Sequence, residues 1–169
     1  MAKKFATLAV LAVLSCSSYA VDGTVTVSGT VTNTTCTVTP SSTTVTLPTV
    51  SKTSLGSIGA TAGTTAWSVA VSACSGASTM TTYFEPASTT NGNGRLLNSG
   101  TATGVDVQML TSAFGVINLA AGAGSQGVSS TAVVSNAATQ SFYIRYYATS
   151  ASVTAGTFVG GFTFTMIYT

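Results

Sequence analysis

The chain has no histidine, and only 5% of its 169 residues are charged. Without histidine, neither a Ser-His nor a Cys-His couple can form, and the commonest proton shuttle near neutral pH is missing. The few lysines and arginines are scattered, so nothing clusters to hold a phosphate backbone, and no nucleic-acid partner is expected. No apolar run approaches the roughly eighteen residues that cross a bilayer as a helix, so no stable membrane insertion is expected. Acids are as sparse as bases. A carboxylate pair for glycoside hydrolysis would have to come from Asp22, Glu85 and Asp106, which read better as surface groups. The stretch "GAGSQG" has no lysine and no strand-to-helix setting, so it reads as a flexible connection and not as a phosphate cradle. These absences leave no catalytic residue, no cofactor site and no metal site to expect, and the chain reads as a non-enzyme.

What is present begins with an address. Lys3 and Lys4 precede the apolar residues 5–14, and Ser18-Tyr19-Ala20 has the small-x-small form of a secretory cleavage site. Val13-Leu14-Ser15-Cys16 loosely matches a lipid-attachment site, but cleavage after Ala20 fits better. Residues 1–20 are therefore read as a signal peptide. Their removal takes away Lys3, Lys4 and Cys16. Lys52, Arg95 and Arg145 then balance Asp22, Glu85 and Asp106, and the exported chain is neutral. Cys36 and Cys74 remain as an even pair in an oxidising compartment, where a disulfide is the expected outcome. Two cysteines without a histidine cannot complete a four-ligand zinc site.

The rest is written in short alternating runs separated by Gly, Ser and Asn, with no helical period of useful length. The first, "VDGTVTVSGTVTNTTC", places Val21, Gly23, Val25, Val27, Gly29 and Val31 on one face. No hairpin dipeptide follows it, so two readings stay open on the residues: the segment folds back as an edge strand of its own chain, or its apolar face packs elsewhere. Further runs are residues 34–39, residues 43–47 between two prolines, "AWSVAVSAC", "STMTTYFEP", "GVDVQML", "QSFYIRYYA" and the terminal "GTFVGGFTFTMIYT". Trp67, Val69, Val71 and Ala73 share a face. Cys74 falls off that parity, so a bridge to Cys36 requires a bulge or bend just before it. In the terminal run Phe158, Phe162, Phe164, Met166 and Tyr168 form a large apolar face, with Gly160 and Gly161 marking a possible bulge site. Eight or more such strands predict a single all-β sandwich.

Read together, four blocks resemble a chaperone–usher pilin of the type 1 fimbrial major-subunit kind. They are "GTVTVSGTVTNTTCTV", "VAVSAC", "ATGVDVQML" and "RYYATSASVTAGTFVGGFTFTMIYT", the last with Gly156 and the penultimate Tyr168. The resemblance implies an incomplete immunoglobulin-like β-sandwich that lacks its last strand and is completed by donor-strand exchange, a known form of strand addition. It implies a structural subunit of an adhesive fimbria, exported through the periplasm to an extracellular, cell-surface fimbrium. Its partners would be neighbouring pilin subunits, a periplasmic chaperone and an outer-membrane usher. Residues 21–32 would be the donor extension and residues 33–169 the pilin domain. The donor face would comprise Gly23, Val25, Val27, Gly29 and Val31. The acceptor groove, which also binds the chaperone, would comprise Gly156, Phe158, Phe162, Phe164, Met166, Tyr168 and Thr169. Two other readings stay open on sequence: a minor adaptor or tip subunit of such a pilus, and a secreted carbohydrate-binding sandwich using Trp67 as a stacking platform. For Trp67, core packing beside Val69 and Val71 is the expected role.

Overall fold

Among the described residues, alternation becomes seven strands arranged in two antiparallel sheets. The computed structural model describes residues 25–29, 31 and 35–169. The expected signal peptide, residues 1–20, lies outside them, as does Gly23. Residues up to 32 and residues from 33 form two separate units, each described by itself. In the first unit, residues 25–29 and 31 have no regular secondary structure, and Val25, Val27 and Val31 are exposed.

In the second unit the strands are β1 (Thr35–Thr39), β2 (Thr61–Ser75), β3 (Thr79–Glu85), β4 (Val105–Thr111), β5 (Thr131–Ala132), β6 (Ala138–Ala148) and β7 (Thr163–Tyr168). One sheet has the order β1-β2-β6-β4 and the other β5-β3-β7. A 3-10 turn, Lys52–Leu55, is capped by Ser51. No described helix is long and apolar enough to cross a membrane. The inner faces meet in a core of Trp67 and Val69 from β2, Phe84 from β3, Val107 and Met109 from β4, and Phe142 and Ile144 from β6. Trp67 stacks on Phe142 with ring centroids 5.5 Å apart.

Parity explains the bulge at the disulfide. Thr37 lies opposite Ser72 and Thr35 opposite Ser75, so β2 spends one residue more than β1 over this interval. Ala73 absorbs the surplus with a positive φ of 51°. Cys74 thereby turns inward, where Ala73 would otherwise point, and bonds to Cys36 across 38 residues.

Three expectations change. Residues 43–47 form no strand, although Val45 and Leu47 keep their inward alternation. A strand needs a neighbour, and no described segment pairs with this one. The terminal strand begins at Thr163, not near Phe158. At Gly160–Gly161 the chain leaves β3 and bonds instead to the segment before β4, with Ser99 N donating to Val159 O at 2.9 Å and Ala102 N to Thr157 O at 3.0 Å. Asp106, read as a surface carboxylate, is buried. Arg95 pairs with it at 3.2 Å, Asn91 donates to it at 2.6 Å, and the Arg95 guanidinium lies 4.2 Å over the ring of Tyr147.

The far edge of β3 is closed by side chains in place of a full strand. Gln126 donates to Phe84 O at 2.6 Å and accepts from Phe84 N at 2.9 Å, as a paired residue would. Gln140 accepts from Thr82 N at 2.8 Å. Both glutamines are buried. Gln126→Leu leaves two buried main-chain groups without partners, so unfolding free energy should fall by roughly 2–4 kcal/mol. Urea denaturation of the chain beside the variant measures this.

Candidate functional site

β1 ends one sheet and β7 ends the other, and the two edges face a shared apolar groove of about 1130 Å³. One wall carries Val38, Val45 and Leu47. The other carries Phe158, Phe162, Phe164, Met166 and Tyr168, and the floor is Trp67, Leu96, Val107 and Ile144. The wall residues pack against the core cluster, Tyr168 against the neighbouring cluster around Met80, yet they stay only half-buried, while the floor is buried. Among the described residues, a continuous strip of core-facing apolar surface therefore has no cover.

The polar edges are equally incomplete. Thr79 and Thr169 exchange main-chain hydrogen bonds, Thr79 N to Thr169 O at 2.9 Å and Thr169 N to Thr79 O at 3.2 Å. Antiparallel pairing alternates, so the main-chain groups of Phe164, Met166 and Tyr168 turn away from β3, toward the open side. No described strand pairs with them there. On the other wall, residues 43–47 make no main-chain hydrogen bond to the described chain. Two unpaired edges beside an apolar trough form a template for an extended segment with alternating apolar residues. Burial raises the pKa of the wall residue Tyr168 above its ordinary 10.0, as expected where leaving solvent disfavours the phenolate.

The groove thus gathers five of the seven sequence-predicted residues of this region. Gly156 lies elsewhere: a Cβ there would run into the main chain of Thr101 and Ala102, so its lack of a side chain lets the segment behind the wall pack closely. Thr169 also faces away, its carbonyl oxygen accepting from Ser78 N at 2.6 Å and Thr79 N at 2.9 Å. The floor and the Val45/Leu47 wall escaped the sequence reading. Alternation in "TVTLP" was visible, but nothing local says which distant segment it faces. Trp67 is 8% exposed and stacked in the core, which removes it as a carbohydrate platform.

A two-sheet β domain with an open, strand-shaped apolar groove is a module built to accept a strand. The chain belongs to the fimbrial protein family, whose family model matches residues 25–169. It is 41% identical to the major fimbrial subunit SMF-1 of Stenotrophomonas maltophilia (strain K279a), over 94% of this chain and 99% of that one. It is 36% identical to the F17 fimbrial protein of Escherichia coli, over 95% of this chain and 96% of that one. Its fold matches a chain of a solved chaperone–usher pilus at 18% identity, with a TM-score of 0.62 and coverage of 87% and 95%. The protein is a structural subunit of a cell-surface fimbrium, polymerising with other subunits of its kind.

Proposed function

We propose that the groove receives residues 21–32 of the next subunit, with Gly23, Val25, Val27, Gly29 and Val31 turned to its floor. Before assembly, a periplasmic chaperone fills the same groove with a strand of its own and passes the subunit to an outer-membrane usher. On this reading residues 1–20 direct export, residues 21–32 are the donor and residues 33–169 are the acceptor domain. Phe158, Phe162, Phe164, Met166 and Tyr168 contact the incoming strand, while Gly156 and Thr169 support that wall from behind.

The observation that carries this is the half-covered apolar strip flanked by two unpaired main-chain edges. The opening segment has the matching chemistry. Its apolar residues fall on one face, residues 21–31 are as long as residues 158–168, and the described valines are exposed. Burying three valines contributes about 5 kcal/mol of apolar transfer, before any main-chain pairing. Donor and acceptor are different surfaces, so each contact leaves a free donor and a free groove, and the assembly grows as a filament. The likeness to a major fimbrial subunit favours a place in the shaft over one at the tip.

A chain lacking residues 21–32, produced together with its chaperone, should be folded and soluble but should never elongate a fibre. Filaments in normal yield from that chain, seen by negative-stain electron microscopy, would refute the assignment.

A further inference from the structure

The apolar wall that ends in Tyr168 has two different supports. From Thr163 to Tyr168 it lies on β3, whereas Phe158 precedes the break at Gly160–Gly161 and belongs to a segment that β3 does not hold. That segment leans on residues 98–102, and the two cross closely. A Cβ on Gly100 would run into the main chain of Thr157, just as one on Gly156 would run into that of Thr101 and Ala102. At the crossing stands Asn98, half-buried, with a side-chain amide that makes four hydrogen bonds. Its Nδ2 donates to Ala102 O at 2.8 Å and to Thr157 O at 3.1 Å. Its Oδ1 accepts from Gly100 N at 2.7 Å and from Val159 N at 2.9 Å. Two of these bonds shape the turn that Asn98 itself begins. The other two reach across to the residues on either side of Phe158. Ser99 N donates to Val159 O, but Val159 N has no main-chain partner among the described residues, so the Asn98 Oδ1 stands where a ladder carbonyl would.

We infer that Asn98 is a positioning residue for the groove: by gripping Thr157 and Val159 it holds Phe158 at the end of the apolar wall, and so sets how long a strand the groove buries. This rests on the reading of the groove as a strand acceptor. Phe158 has little else to fix it. Its main-chain groups make no hydrogen bond to the described chain, and its ring meets Tyr146 edge-on with centroids 6.1 Å apart. With Asn98 in place the wall runs from residue 158 to residue 168, the length of residues 21–31. Without it the supported wall begins at Phe162, and the residue of the incoming strand at that end loses its contact.

Asn98→Ser separates the two roles. A serine oxygen still accepts from Gly100 N within the turn, but it is too short to reach Val159 as well. Three peptides are titrated against the exported chain and against this variant: residues 21–32, the same peptide with Val21→Ser, and the same peptide with Val31→Ser. Asn98→Ser should weaken the unmodified peptide about tenfold, the size of one buried apolar contact. One of the two modified peptides should bind both chains equally, since it already lacks the side chain that Phe158 meets, and the other should keep the tenfold gap. Equal losses for all three peptides, or no loss for any, would overturn this inference and leave the groove reading standing. Absence of peptide binding to the native chain would overturn both. Hydrogen exchange gives a second measurement that needs no peptide. The Val159 amide should exchange slowly in the native chain although the residue is 57% exposed. In Asn98→Ser it should exchange at least tenfold faster, with the Met109 and Ile144 amides unchanged. Fast exchange at Val159 in the native chain would also overturn the inference.

Discussion

A chain carrying Val27→Asp should fold normally and yet produce almost no filaments. Val27 is 90% exposed within its own chain, so an aspartate there disturbs no packing and the melting temperature of the monomeric chain should not move. In the groove of a neighbour the same side chain would face an apolar floor whose lining holds no cation. The substitution removes the burial of one valine, about 2 kcal/mol. It also asks a carboxylate to leave water unpaired, which costs several kcal/mol more. A combined loss of about 5 kcal/mol lowers occupancy more than a thousandfold. Thr26→Asp is the matching control, since residue 26 lies on the opposite face of the alternation and should polymerise at close to normal yield. Filament counts by electron microscopy compare the two directly. Equal yields from both variants would mean that the donor face is misassigned.

Removing the disulfide should have the largest effect on the fold itself. Cys36 and Cys74 close a loop of 38 residues, and losing that constraint costs roughly 4 kcal/mol through the entropy of the unfolded chain. Such a loss is a large share of the stability of a domain this size. The consequence is also local. The bond pins β1 to β2, and Cys36 and Val38 belong to the groove lining. The double substitution Cys36→Ser/Cys74→Ser should lower the unfolding free energy in urea by about 4 kcal/mol. It should also weaken binding of a peptide of residues 21–32, because one wall loses its anchorage. If the variant and native chain unfold at the same urea concentration, β1 is held by its ladder alone and this account fails.

Much of the architecture was legible because strand alternation is a local property. The inward face of Trp67, Val69 and Val71 and the half-buried face of Phe162, Phe164, Met166 and Tyr168 follow from spacing by two. The bulge before Cys74 followed as well, from a single residue of wrong parity. Other features hid because they join distant segments. Gln126 and Gln140 look like surface residues in sequence, and only the edge of β3 makes them surrogate pairing partners. Asp106 looks exposed until Asn91 and Arg95 close over it. The break at Gly160–Gly161 depends on the segment before β4 competing with β3 for the same backbone.

Composition and alternation by themselves determined that the chain is an all-β module, with a linked cysteine pair and an apolar face on its last strand. These are properties of residue type and of neighbours two apart, so they need no third dimension. Only the tertiary structure decided that, among the described residues, this face stays half-covered, residues 43–47 stand opposite it without a strand partner, and the Trp67 N–H is buried without one. The reason is that an absence of pairing is a relation between remote segments. No residue encodes it alone, and it becomes visible when the two sheets are packed and a strand's width is left between their edges.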